Sequence, residues 1–263
     1  MPATWNAPLR PKRSSAATPQ PRDAGRLRAY TPLKPDWQKE ALMTVAIEMV
    51  SDPVCPWCWL GLRRIQAAIA QTPDIKVQLL FRPYELDPTI PAAGVDYKEY
   101  MGSRVSSPEG KERMAAMRQA LIDYGAAEDI PYRFDAVTHR PNSFDAHRLV
   151  RWAQGQGKGA EAKEALFRAY FNEARNIGDH GVLVDIARSI DLDADIVADL
   201  LKTGADTDIV RQEADTFRQM GISGVPTYIA NRRVAVQGAE SAEKLERFIR
   251  HAAAQLPQER PAG

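Results

Sequence analysis

The run Ser51-Asp52-Pro53-Val54-Cys55-Pro56-Trp57-Cys58-Trp59-Leu60-Gly61 decides the fold. Before it, Thr44 to Val50 is almost continuously apolar and β-prone, as a central strand covered on both faces should be. After it, Leu60, Leu62, Ile65, Ala68 and Ile69 recur at the spacing of an amphipathic helix. A strand therefore runs into a helix whose first turn carries two cysteines. Pro56 suits the first helical position, where its missing N–H costs nothing and its φ is already helical, and this makes Cys55 the N-cap.

Two residues three apart in a first helical turn share a face, so the sulfurs of Cys55 and Cys58 can bond with little backbone movement. Cys55, at the positive end of the helix dipole, is expected to act as the attacking thiolate. Cys58, one turn deeper, is expected to be less exposed and to resolve the mixed disulfide. The competing uses of the pair are an inert dithiol or half of a zinc site. Zinc would need two more ligands, with His139 and His147 as the candidates, and the sequence offers neither a second Cys pair nor a closely spaced His pair. No metal is expected.

Working outward, Val77, Leu79 and Phe81 alternate as a second strand that Pro83 and Pro88 bring to an end. Residues 96–220 then show almost no strand signal and a succession of helical patterns. Examples are Met114, Met117 and Leu121; Ala146, Leu149, Val150 and Ala153; and Val210, Ala214 and Phe217. Gly125, Gly155, Gly157, Gly178, Gly181 and Gly204 are expected between these helices. Strand signal returns at Thr227 to Ala230 and Arg233 to Gln237 around a turn at Asn231 and Arg232. A last helix carries Leu245, Phe248, Ile249 and Ala252 on one face. The expected class is α/β with a large inserted helical domain.

Composition bounds the function. With 44% hydrophobic and 26% charged residues, the 263-residue chain is a globular protein able to build a sizeable core. Thirty-five basic against 34 acidic residues argue against nucleic acid or a membrane surface as partner. Two cysteines are too few for a disulfide-stapled secreted scaffold. With neither a transmembrane run nor a secretory signal pattern, the expected compartment is the cytosol. Residues 1–43 hold seven of the 19 prolines and eight basic against three acidic residues, and read as a disordered basic tail. Subtracting its charge of +5 from the chain's +1 leaves −4 for the body. Met43 stands directly before the first strand, so we expect translation to start there, which N-terminal sequencing of the native protein tests.

The motif and its surroundings resemble the DsbA-like thioredoxin-fold oxidoreductases, specifically the cytosolic FrnE-like branch. Beyond Ser51 to Gly61, the resemblance is carried by Tyr84-Glu85-Leu86-Asp87-Pro88, by Asn142-Ser143-Phe144-Asp145-Ala146-His147-Arg148-Leu149 and by Gly221-Ile222-Ser223-Gly224-Val225-Pro226-Thr227. It implies a thioredoxin-like domain of residues 44–95 and 221–257, interrupted by an all-helical insertion of residues 96–220. It also implies that Pro226 is cis and faces the cysteine pair, with Val225 offering backbone groups to an extended substrate; the plainer alternative is a trans proline starting a strand. No cofactor beyond the redox-active disulfide is implied, with glutathione as a candidate co-substrate. The partners implied are cysteine-containing polypeptides or small thiols and disulfides, and a homodimer is a candidate assembly. Kappa-class glutathione transferases and 2-hydroxychromene-2-carboxylate isomerases share this architecture but usually carry serine at the place of Cys55. That departure favours disulfide exchange over the alternative, a glutathione-dependent transferase or isomerase.

Single residues complete the expectations. Glu48, inside an apolar strand, is either a proton relay for Cys58 or a carboxylate that emerges at the sheet surface or pairs with an arginine, and the second reading is preferred. Trp57 is expected in an exposed apolar patch for partner polypeptides, and Trp59 inside. Lacking the charge of a histidine in its place, Trp57 should give a less oxidising couple than the strongest disulfide donors. His147 and Asn142 are candidates for the cleft, but are read first as a hydrogen-bonded packing residue and a helix-cap or turn residue.

Overall fold

The apolar run expected as a central strand is β1 (Thr44–Ser51), which leads through four residues into α1 (Pro56–Ala70) and back through β2 (Lys76–Pro83). The computed structural model describes residues 44–256; the expectations for the tail and for Met43 lie outside them. The long middle segment holds β3 (Val95–Asp96), α2 (Tyr97–Arg104), α3 (Pro108–Ala127), a 3-10 turn at Phe134–Ala136 and β4 (His139–Arg140). It continues with α4 (Phe144–Gly155), α5 (Gly159–Phe171), α6 (His180–Ser189), α7 (Ala194–Thr203) and α8 (Thr207–Gln219). The chain re-enters the sheet as β5 (Thr227–Ala230), turns into β6 (Val234–Gln237) and closes with α9 (Ala242–Ala254).

The main sheet has the order β2-β1-β5-β6. β1 pairs parallel with β2 and antiparallel with β5, so Glu48 lies opposite both Leu80 and Ile229. Val45, Ile47 and Met49 are fully buried toward one face, and Glu48 and Val50 are buried toward the other. Burial on both faces explains the absence of alternation in the sequence. α1 and α9 pack together on the sheet through Leu62, Ile65, Leu245 and Ile249, all fully buried.

The insertion is mainly but not wholly helical, because β3 and β4 pair antiparallel, Val95 with Arg140 and Asp96 with His139. Two residues per strand are too few to produce a periodic signal, which is why the sequence pattern missed them. Two glycines also depart from expectation: Gly125 and Gly181 lie inside α3 and α6 rather than between helices. Gly125 is there for closeness, since a Cβ would come within 2.7 Å of the Ile130 carbonyl oxygen and the Tyr132 ring. Gly204, at φ +69°, ends α7 as expected of a left-handed cap.

Candidate active site

Cys55 is the N-cap of α1, in extended conformation at φ −98° and ψ 113°, with Pro56 following in the first turn. The turn that delivers it is closed by backbone: the Cys55 N–H donates to the Asp52 carbonyl and the Cys58 N–H to the Cys55 carbonyl, each at 3.0 Å. Both thiols are free. Cys58 is fully buried and Cys55 is 4% exposed, so Cys55 is the outer thiol but is itself covered. Its Sγ donates to the Val225 carbonyl at 3.7 Å, and the Val225–Pro226 peptide is cis. The motif's glycine permits this approach: a Cβ at Gly61 would collide with Pro226 Cγ and the Tyr228 hydroxyl.

Behind Cys58 the surroundings change from backbone to buried charge. Asp52 is fully buried; its Oδ1 accepts from the Val54 N–H at 3.2 Å and its Oδ2 from the Leu86 N–H at 2.7 Å. These bonds lock the cysteine loop against the segment that follows β2. Lys163, on α5, is 1% exposed, and its Nζ has no hydrogen-bond partner. Burial pushes the Lys163 amine down to about 8, against the opposing pull of Cys58, Asp52 and Cys55. Burial also pushes the Cys58 thiol well up, helped by the hydrogen bond and charge of Cys55 and opposed by Lys163. The cluster thus pairs a thiol reluctant to ionise with an amine ready to lose its proton. His147 Nε2 lies 3.1 Å from the Tyr84 carbonyl and 3.8 Å from Asp52 Oδ1. Burial drives its imidazole down to about 3, so it is neutral and donates from Nε2 to the carbonyl.

A helix-entry cysteine pair, a cis proline across from it and a helical insertion agree with what comparison with known proteins returns. Residues 46–250 match the DsbA-like thioredoxin domain. The chain belongs to that family. The uncharacterised Bacillus subtilis protein YwbO is 29% identical over 208 residues, which is 79% of this chain and 96% of YwbO. The crystal structure of a probable DsbA oxidoreductase from Streptomyces coelicolor superposes with a TM-score of 0.74 at 28% identity, covering 83% of this chain and 94% of that one. A 2-hydroxychromene-2-carboxylate isomerase superposes at a TM-score of 0.62 and 15% identity, covering 80% and 97% of the two chains, and shows a shared fold. Members of the DsbA-like family are thiol–disulfide oxidoreductases or isomerases. Among the described residues, no helix is long and apolar enough to cross a membrane, and no group of three or more His, Cys, Asp or Glu side chains could hold a metal ion.

The structure of this DsbA-like chain sorts the residues singled out in the sequence. Glu48 is not placed as a relay: its Oε1 accepts from Arg82 Nη2 at 2.6 Å, and Arg232 Nε lies 3.5 Å from Oε2. The buried charge bearing on Cys58 is Lys163. Trp57 is half-buried rather than part of an open patch, with its ring 6.3 Å from that of Tyr124 on α3. Trp59 is fully buried and donates from Nε1 to Glu164 at 3.0 Å. Asn142 is a turn residue, accepting from the Phe144 N–H at 2.9 Å and donating to the Ile90 carbonyl at 2.7 Å. His147 is buried as a hydrogen-bonded packing residue, held between the Tyr84 carbonyl and Asp52. Two members of the inner cluster, Asp52 and Lys163, were given no role from sequence. Lys163 did leave a signal: it shares a helix face with Leu166, Phe167 and Tyr170, all buried, so a lysine stands at a core position.

Proposed function

We propose that the protein is a thiol–disulfide oxidoreductase in which Cys55 attacks and Cys58 resolves. One observation carries this reading: the outer thiol lies against the Val225 carbonyl, whereas the inner thiol is fully buried and feels the charge of the buried Lys163. The Cys55 thiolate attacks one sulfur of a substrate disulfide, and the other sulfur leaves as a thiolate and takes up a proton. Val225 aligns an extended substrate through its backbone. Cys58 then gives its proton to the Lys163 amine and attacks Cys55 Sγ, releasing the second substrate thiol and closing the Cys55–Cys58 disulfide. The substrate gains two electrons and the pair loses two, and two molecules of a small thiol such as glutathione, oxidised to their own disulfide, restore the dithiol. Asp52 holds the loop in place and keeps Lys163 basic enough to act. In the reducing cytosol, where we place the protein, the pair rests mostly as a dithiol, which favours reduction or isomerisation over net oxidation.

Replacing the resolving thiol tests the assignment. Cys58→Ala should accumulate a mixed disulfide on Cys55, which intact-mass analysis and peptide mapping identify together with the attached species. Absence of an adduct, or one that persists in Cys55→Ser, overturns the reading. Saturable glutathione conjugation that survives in Cys58→Ser, with no insulin-disulfide reduction by the wild type, would favour a glutathione-dependent transferase or isomerase instead.

A further inference from the structure

Beside the cysteine loop, α2 and α3 enclose a cavity of about 240 Å³ that continues into a more open groove of about 540 Å³. Tyr97, Met101, Val105, Met114, Arg118 and Phe134 line both, so the two form one continuous space. Its inner end is walled by Val54 and Pro56, the neighbours of Cys55 on either side. The size is that of small-molecule sites, which run to roughly 300–1,000 Å³.

The walls are apolar, but the charges set into them have one sign. Arg104, Arg118 and Arg140 line the inner cavity and no carboxylate does; the outer groove adds Lys98 and Lys111 against Asp135 alone. The chain as a whole is balanced, at 35 basic to 34 acidic residues, so this bias is local. Arg104 is paired with Asp87. The other two are not neutralised in this way. Arg118 donates from Nη2 to the Tyr97 hydroxyl at 3.2 Å and lies over the Tyr97 and Phe134 rings, each 5.8 Å away. Arg140 is 5% exposed; its guanidinium lies 5.3 Å over the Tyr100 ring and is hydrogen-bonded to the Tyr100 and Tyr170 hydroxyls, and together with the Asp52 carboxylate, acting from beyond ion-pair distance, these partners outweigh burial and favour its charged form. Arg140 therefore stays a cation at the cavity wall with no carboxylate in contact, and the planar fork of a guanidinium matches a carboxylate in a bidentate pair.

We propose that this space binds a small thiol or disulfide with an apolar, aromatic-sized body and an anionic group, the anion held by Arg140 and Arg118 and the sulfur delivered to Cys55. The proposal rests on the oxidoreductase reading above. It departs from glutathione, whose length is polar and would leave the methionine and aromatic walls uncovered.

Two aromatic disulfides of different charge provide the test. The reduced full-length protein is mixed with 5,5′-dithiobis(2-nitrobenzoate), which carries a carboxylate on each half, and separately with the uncharged 4,4′-dithiodipyridine, at one ionic strength. The readout is the ratio of the two second-order rates at Cys55. In Arg140→Met and in Arg118→Met that ratio should fall about tenfold, the equivalent of about 1.4 kcal/mol of anion recognition. Arg140→Lys should recover part of it. An unchanged ratio in both methionine variants overturns the proposal. Should Arg140→Met not fold, Arg118→Met, on the half-buried face of α3, decides alone. The two readings fail separately. If the uncharged probe reacts with the wild type no faster than with Cys55→Ser, the oxidoreductase reading falls; if it reacts but the ratio ignores the arginines, only the anion site falls.

Discussion

Glu48 and Asp52 are buried carboxylates four residues apart, one inside β1 and one in the loop just beyond it, and their surroundings differ in kind. Glu48 is met by guanidinium groups, Arg82 at 2.6 Å and Arg232 at 3.5 Å, and Arg82 also reaches Glu213 at 3.7 Å. Its charge is cancelled where the sheet meets α8 and the β5–β6 turn. Asp52 is met by two backbone N–H groups, a neutral histidine and, further off, the unbonded amine of Lys163. The first arrangement joins elements together, and the second leaves a titratable base whose charge reaches Cys58. The difference teaches that burial of an acid near the cysteines does not assign it to the chemistry; the protonation freedom of what surrounds it does.

The largest expected effect concerns the histidine. Its folded-state pKa of about 3 lies below the ordinary 6.5, so the unfolded chain binds the proton first as pH falls between those values. Stability is complete above pH 6.5 and is lost toward pH 3, by about 4–5 kcal/mol for the full shift. His147→Gln keeps a donor for the Tyr84 carbonyl and should flatten that loss in urea unfolding measured from pH 7 to pH 4. An equal acid dependence in wild type and variant would show that Asp52 faces an imidazolium, which removes the contrast with Glu48.

Lys163 comes next. Its amine is held at about 8 instead of 10.5, so the folded protein carries the full cost of the buried charge below pH 8 and regains stability as pH rises toward 10.5. Lys163→Met should therefore be more stable than wild type by about 3 kcal/mol at pH 7, with the advantage shrinking through that window. The same variant should slow the decay of the Cys55 mixed disulfide. A variant that is less stable at pH 7 would mean that Lys163 is paired in solution much as Arg82 is.

Much of this layout is legible in the sequence, and what is not has identifiable causes. The strand, the N-cap cysteine and Pro56 announce themselves because each obeys a local rule of period or capping. For Glu48 the sequence leaves two plain alternatives to a relay, exposure at the sheet surface or pairing with an arginine, and burial at 6% beside Arg82 selects the second. Asp52 was hidden because its partners are backbone N–H groups of its own loop and of Leu86, and backbone donors carry no sequence signature. Lys163 lies 105 residues beyond Cys58, and only its place among Leu166, Phe167 and Tyr170 marks it as buried. The β3–β4 ladder and the half-burial of Trp57 against Tyr124 depend on how the insertion folds back, which no local pattern encodes.

The smaller effects come from the carboxylates themselves. Glu48→Gln leaves the Arg82 guanidinium with only the longer 3.7 Å pair to Glu213, at a site where the glutamate side chain is 8% and the arginine 19% exposed. The cost should be about 1.5 kcal/mol in chemical unfolding, because a short charge-assisted hydrogen bond in a mostly dry site is lost while the weaker contact to Glu213 remains. Asp52→Asn removes a negative charge that raises the Lys163 pKa, so the Lys163 titration should move to lower pH. Resolution of the Cys55 mixed disulfide, followed by stopped flow between pH 6 and pH 9, should then gain its basic limb earlier, by about half a pH unit or about 0.7 kcal/mol. The limb in Glu48→Gln should stay where the wild type has it, since that carboxylate is spent on Arg82. If Glu48→Gln moves the limb and Asp52→Asn does not, the two carboxylates exchange roles and the proton leaves Cys58 through the sheet rather than through α5.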